Sequence, residues 1–274
     1  MIPATFDYVR PRSIEEACAA LAEHGADAKL LAGGMSLLPL MKLRLATPAV
    51  LVDLDGVDDL SYVRDGGDHL RIGALTRHRD LETSELVARH CGVLRGVAAE
   101  VGDAQVRHRG TLGGSVAHGD PASDLPAVLL ALDATIVVTG PGGERFVPAG
   151  EFFRGFLETA LAPDELLTEA LVPKTGLARF SYQKFNRRAQ DWAIVGALAV
   201  TVDGAGMRVA LVNMGSTPIR ARGVEEALAQ GAPAADAAVR ATEGADPPTD
   251  LNATPAYREH LARVLVRRAI EAAL

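Results

Sequence analysis

Cysteine is scarce in this chain: Cys18 and Cys91 are the only two, and neither belongs to a CxxC pair or any other cluster. Thiolate ligation of an iron–sulfur cluster, or of a cysteine-rich zinc site, needs several converging sulfurs, so the chain cannot hold either alone. Both residues read as isolated, buried or half-buried thiols that demand no disulfide. Basic charge is short as well. Against 28 Lys+Arg stand 35 Asp+Glu, a net charge of −7, which repels phosphate backbones at long range and argues against a nucleic-acid partner. No apolar run approaches membrane-spanning length, and Met1–Tyr8 lacks a basic region followed by an apolar stretch. The expectation is a cytoplasmic protein without membrane insertion. Two familiar nucleotide loops are missing too: there is no Walker lysine motif, and no G-x-G-x-x-G follows a strand. Beyond the reuse of a paired glycine, no internal repeat is visible.

The chain does have enough apolar residues for a substantial core. With 274 residues, 48% hydrophobic and 23% charged, it divides naturally into two or three compact units. Its most informative features are two double-glycine segments, Ala32-Gly33-Gly34-Met35-Ser36 and Thr111-Leu112-Gly113-Gly114-Ser115. Paired glycines let backbone N–H groups approach an anion without interference from Cβ, and a following helix start adds free donors and partial positive charge. Two such segments, each with hydroxyl residues beside it, suit a diphosphate. Either one by itself is usually an ordinary loop or turn.

The pattern around them can be read element by element. Ser13 caps a helix over Ile14–His24, with Glu15 and Glu16 in its first turn and Gly25 as its stop. Residues 28–32 form a short buried strand ending at the first glycine pair. Ser36 is placed to cap a helix over 37–45, with Pro39 in its first turn, where a missing N–H costs little. Residues 50–54 give another strand. Next come a hairpin, 60–63 with 69–73 about Asp65-Gly66-Gly67-Asp68, and a helical stretch over 81–100 leading to the second pair. An apolar helix over 125–132 and a strand over 134–138 follow, with 140–143 as a loop tip. Beyond Pro173, alternation through 180–186 and the runs 193–202 and 207–214, joined at Asp203-Gly204-Ala205-Gly206, indicate antiparallel strands. Helices over 221–229 and 257–273 are linked by the Ala/Gly/Pro-rich 231–250.

The segments Lys29-Leu30-Leu31-Ala32-Gly33-Gly34-Met35-Ser36-Leu37-Leu38-Pro39 and Arg109-Gly110-Thr111-Leu112-Gly113-Gly114-Ser115, continued by Val116-Ala117-His118-Gly119-Asp120-Pro121-Ala122-Ser123-Asp124, resemble the FAD-binding medium subunit of molybdenum hydroxylases. Tyr182-Gln183-Lys184-Phe185-Asn186-Arg187-Arg188-Ala189-Gln190-Asp191 and Tyr257-Arg258-Glu259-His260 extend the likeness over nearly the whole chain. Within the family, the medium subunits of aerobic carbon monoxide dehydrogenase and of xanthine dehydrogenase are the nearest in pattern.

The resemblance implies an α+β fold: a two-lobed FAD-binding domain of the vanillyl-alcohol oxidase and para-cresol methylhydroxylase type over 1–175, with lobes of about 1–55 and 56–175. A small antiparallel sheet-and-helix domain over 176–274 would follow. It further implies FAD as cofactor and an electron-transfer role, with an iron–sulfur small subunit and a molybdopterin large subunit as partners in a hetero-oligomer. Both glycine loops would wrap the FAD pyrophosphate. Lys29, Leu30, Leu31, Ala32, Gly33, Gly34, Met35 and Ser36 would form one wall and Thr111, Gly113, Gly114 and Ser115 the other. Asp124 matches a family carboxylate that holds a polar part of the cofactor; read from the residues alone it is also a cap for the helix beginning near Leu125.

Lys184 matches a family lysine near the flavin ring, where a cation stabilises negative charge developing on the reduced ring. Arg187, Arg188 and Asp191 are weaker candidates, since a short charged cluster is commonly an ion-paired surface. His118 is left structural. Met35 stands where the family often has glutamine, and Ser115 where it often has asparagine or aspartate. No residue is assigned a catalytic proton transfer, and no metal site is expected. Two other readings share these residues: a stand-alone flavoenzyme acting directly on a small substrate, and a cofactor-free scaffold subunit.

Overall fold

The computed structural model describes residues 2–274. The first lobe runs β1 (Asp7–Val9), α1 (Ile14–His24), β2 (Ala28–Leu31), α2 (Leu37–Lys42) and β3 (Val50–Asp53). Its three strands are all parallel, in the order β1-β3-β2, with Tyr8 opposite Leu51 and Leu30 opposite Val52. Parallel strands joined by helices end on a common edge, the usual place for a ligand in such sheets. The α1 boundaries follow local chemistry: the Ser13 hydroxyl accepts from the Glu16 N–H, and Gly25 ends the helix at φ 53°. One side of α1 buries Ala20 and Leu21 on Ala28, Val50 and Val52, while Ala17 and Cys18 pack with Leu60, Leu75 and Leu166 of the next lobe.

The second lobe opens with the hairpin β4 (Val63–Asp65) and β5 (His69–Gly73). Six helices follow: α3 (His78–Thr83), α4 (Glu85–His90), α5 (Gly92–Ala99), α6 (Ala104–Arg109), α7 (Leu112–His118) and α8 (Asp124–Ala131). The chain then returns through β6 (Thr135–Gly140), β7 (Gly143–Pro148), the short α9 (Ala149–Phe152), β8 (Phe153–Gly155), β9 (Glu158–Thr159) and β10 (Leu166–Pro173). Strands β4-β5-β10-β6-β7 make an antiparallel sheet. Its inner face packs Leu70, Ile72, Ile136, Val138 and Val172 against Leu94, Val97, Leu125 and Leu129 of the helices.

The remaining chain forms β11 (Phe180–Phe185), β12 (Val195–Val202), β13 (Gly206–Val212) and β14 (Ile219–Arg220), a second antiparallel sheet in sequence order. Helices α10 (Arg222–Ala229), α11 (Ala234–Ala238) and α12 (Pro255–Ala273) complete it. Strand β12 carries no polar side chain from Val195 to Val200, where both its faces are covered. Val195, Ala197 and Ala199 face Leu261, Leu265, Val266 and Ile270 of α12, whereas Leu198 and Val200 join the core that holds α8.

Several expectations are corrected. The helix expected over 81–100 is three helices, because Ser84 caps α4 by accepting from the Val87 N–H and the chain turns again at Cys91. Helix α2 ends at Lys42, not at residue 45, and Arg44 takes a left-handed backbone at φ 59°. Ser36 does not cap it, since its own backbone is already helical and its side chain accepts no amide. Leu60 sits in a 3-10 turn, so the first hairpin strand begins at Val63. Helix α6 is an addition to the expected pattern, and the 231–250 connection contains α11 and a further 3-10 turn.

Candidate cofactor site

Strand β2 delivers Lys29, Leu30 and Leu31 to the carboxyl edge of the parallel sheet, where the chain turns through Ala32–Ser36. Gly34 takes φ +75°, a backbone that side-chain-bearing residues rarely adopt. Gly33 is buried against the approach to the second glycine pair: a Cβ there would lie 2.2 Å from the Arg109 carbonyl oxygen and 2.8 Å from the Gly110 Cα. A Cβ on Gly114 would likewise come 3.7 Å from the Ala32 Cβ. Two segments some eighty positions apart in sequence therefore meet. Among the described residues, the N–H groups of Gly33, Gly34, Met35 and Ser36 find no protein acceptor, although Gly34 and Ser36 accept bonds from Leu38 and Leu40 through their carbonyls. Buried main-chain donors ordinarily have partners, so a run of free ones suits an anionic ligand.

The second pair is built differently from expectation. Gly113 and Gly114 lie inside the first turn of α7, directly after α6. Thr111 caps that helix, its hydroxyl accepting from the Gly114 N–H at 3.1 Å. Gly113 is buried and donates to the Ala74 carbonyl at 2.8 Å, while Ser115 donates to the Thr111 carbonyl. Thus Gly113 is a packing glycine, and the amides of residues 113–115 are already used. What this segment offers is the bare surface of Gly114 and the hydroxyls of Thr111 and Ser115, which can donate or accept. Arg77 braces the junction, donating to the Arg109 carbonyl at 2.5 Å and pairing with Asp55 beyond β3.

Lys29 is exposed, and half-buried Met35 and Ser36 lie with the free amides. His118, at the end of α7, has its pKa lowered chiefly by burial, with Asp120 opposing that shift and Lys29 adding to it. Asp124 is not a helix cap: Ser123 occupies the cap position and Asp124 begins α8. Its buried carboxylate accepts from the Tyr182 hydroxyl at 2.5 Å and pairs with the Lys184 ammonium at 2.8 Å. Lys184 also donates to the Glu100 carbonyl at 2.9 Å. The two side chains of the pair are 6% and 5% exposed, so Lys184 is no solvated strand residue. Burial pushes the Asp124 carboxyl upward, and Lys184 and Tyr182 pull against that shift. Tyr182 has no role in the reading from sequence; its position two residues before Lys184 on one strand, hence on the same face, is the signal that could have found it. Arg77 and the Glu100 carbonyl carry no such signal.

Two glycine segments in close contact, four free amides and adjacent hydroxyls fit a diphosphate, and the buried Asp124–Lys184 pair marks a polar wall toward the C-terminal sheet. Fold and site together define a two-lobed, dinucleotide-holding α+β protein with an added C-terminal domain. Residues 4–175 match the family described as FAD binding domain in molybdopterin dehydrogenase, and residues 180–273 match the CO dehydrogenase flavoprotein C-terminal domain. The chain is 40% identical to the carbon monoxide dehydrogenase medium chain of Hydrogenophaga pseudoflava, covering 100% of this chain and 98% of that one. It is 39% identical to the alpha subunit of the 6-hydroxypseudooxynicotine dehydrogenase complex of Paenarthrobacter nicotinovorans, over 100% and 96%. Reconstituted CO dehydrogenase from Oligotropha carboxidovorans superimposes with a TM-score of 0.95 at 38% identity, over 100% of this chain and 99% of that one.

The chain belongs to the FAD-binding medium subunits of the molybdenum hydroxylases. Its fold is accordingly the FAD-binding fold of the para-cresol methylhydroxylase type with the family's C-terminal domain, its cofactor is FAD, and it is the flavoprotein subunit of a multi-subunit oxidoreductase. No helix among the described residues is long and apolar enough to cross a membrane.

Proposed function

We propose that this subunit works in the cytoplasm within a hetero-oligomer, accepting electrons from an iron–sulfur subunit that serves a molybdopterin subunit and handing them to an external acceptor. FAD, when bound, supplies the exchange between single-electron and two-electron transfer. The observation that carries this reading is the meeting of residues 32–34 with residues 109–114, which leaves the Gly33–Ser36 amides without protein acceptors. In this reading Gly33, Gly34, Met35 and Ser36 hold the pyrophosphate by their amides, with Lys29, Leu30, Leu31 and Ala32 fixing the strand that presents them. Thr111, Gly114 and Ser115 form the facing wall through hydroxyls and open surface. Gly113 contributes by packing on Ala74, not by donating. Asp124 orients Lys184, which keeps a third N–H free of its two protein acceptors for a polar edge of the flavin.

We divide the chain into an FAD-binding domain over 1–175, with lobes of about 1–55 and 56–175, and a C-terminal domain over 176–274. The parallel sheet, the mixed helical lobe and the second antiparallel sheet support that division. Reconstituting the purified full chain with FAD should give about one tightly held flavin per chain, as expected of a mostly preformed site. Capture of the native protein should bring down iron and molybdenum with it. Absence of flavin after reconstitution would refute the cofactor assignment, and a native monomer free of both metals would refute the partners.

A further inference from the structure

One polar residue joins the cofactor side of the second lobe to the C-terminal sheet in two directions at once. Asn213, just past β13, holds a left-handed backbone at φ 61°, a conformation that asparagine tolerates better than most residues. That turn sends its main-chain N–H to the Pro121 carbonyl at 2.9 Å, in the loop between α7 and α8. Its side-chain amide donates to the Ala193 carbonyl at 2.8 Å. Pro121 stands between Gly114–Ser115 and Asp124, and Ala193 closes the β11–β12 arm, residues 186–192, which begins just after Lys184. The arm is otherwise thinly held. Arg187, Arg188, Ala189, Gln190 and Trp192 are exposed, and the arm's base is closed by the Ile194 N–H donating to the Phe185 carbonyl.

We propose that Asn213 is a positioning residue that locks the 186–192 arm to the loop behind the second glycine pair, so that filling the cradle tightens the arm. The tether itself follows from geometry; its link to the cradle rests on the cofactor reading given above. The substitution Asn213→Gly keeps the backbone turn and the bond to Pro121 while deleting the bond to Ala193, and so separates the two.

The test is limited trypsin cleavage of the full chain after Arg187 and Arg188, with and without FAD. Loss of one such bond should raise cleavage of the apo protein about fivefold in Asn213→Gly. Added FAD should slow cleavage in the parent and protect the variant much less, with a less resolved visible spectrum of the bound flavin in the variant. Should Asn213→Gly fold poorly, Asn213→Asp keeps the shape and the left-handed turn but cannot donate to Ala193, and must give the same accelerated cleavage. Unchanged cleavage of the apo protein in a folded variant overturns the tether. Equal FAD protection in parent and variant overturns the coupling. If the parent binds no FAD, the cofactor reading fails while the apo comparison still decides the tether.

Discussion

At the scale of single residues, the site depends on where a side chain is missing. Gly33 lies against a carbonyl that is already held, because Arg77 donates to the Arg109 oxygen and is itself tied to Asp55. A methyl group at Gly33 must therefore push the two glycine segments apart. Gly33→Ala should cost about 1–3 kcal/mol of stability, as overpacked positions do, and should weaken FAD retention about tenfold or more. Gly142→Ala, at a loop tip where an added Cβ meets nothing within 4 Å, should stay within about 0.5 kcal/mol of the parent. Urea midpoints and flavin content of the two variants check this; equal behaviour would remove Gly33 from the cradle. The glycine pairs were legible in the sequence, but their division of labour was not. Whether an amide is free depends on a distant acceptor, here Ala74 for Gly113, and no local pattern announces it.

Among the elements, α8 is shared by both domains. Its apolar length packs against α5 on one side and the C-terminal sheet on the other, and its first residue meets β11 through Asp124, Tyr182 and Lys184. At the other end Asp133, with φ 50°, pairs with Arg208 and Arg220. Leaving one member of a buried pair alone strands a charge, so Lys184→Met should cost about 3–5 kcal/mol, whereas Asp124→Asn combined with Lys184→Met should cost less than the sum of the single changes. A double-mutant cycle by chemical denaturation measures that difference, and strict additivity would mean the pair is not coupled. The apolar run 125–132 and the alternation near 180–186 made both elements readable. Their meeting was not readable, since an acid and a lysine sixty positions apart are brought together only by the packing of α8 under the sheet.

For the whole molecule, the clearest pH response comes from His78. It is 4% exposed, its Nδ1 has no partner, and burial with the nearby Arg107 pushes its pKa down to about 4. Folded His78 is neutral where the unfolded chain, with a pKa near 6.5, already binds a proton. Stability is therefore intact above about pH 6.5, falls as the pH drops, and has lost about 3 kcal/mol from this group once the pH passes below about 4. Melting temperatures followed over that range should fall more steeply for the parent than for His78→Gln. Parallel curves would show that His78 is not the group responsible. His78 also packs under Gly110, so acid weakens the protein beside its cofactor cradle.

The amino-acid sequence by itself determined many of the element types, the presence of two glycine pairs, the shortage of thiolates and the family pattern, because these depend on neighbours a few positions away. Tertiary structure alone decided which amides remain free, that Gly113 packs while Gly33 lets two loops touch, and that Lys184 is buried on Asp124. Each of those facts is a contact between segments far apart in the chain, and a contact exists only once the intervening core has closed.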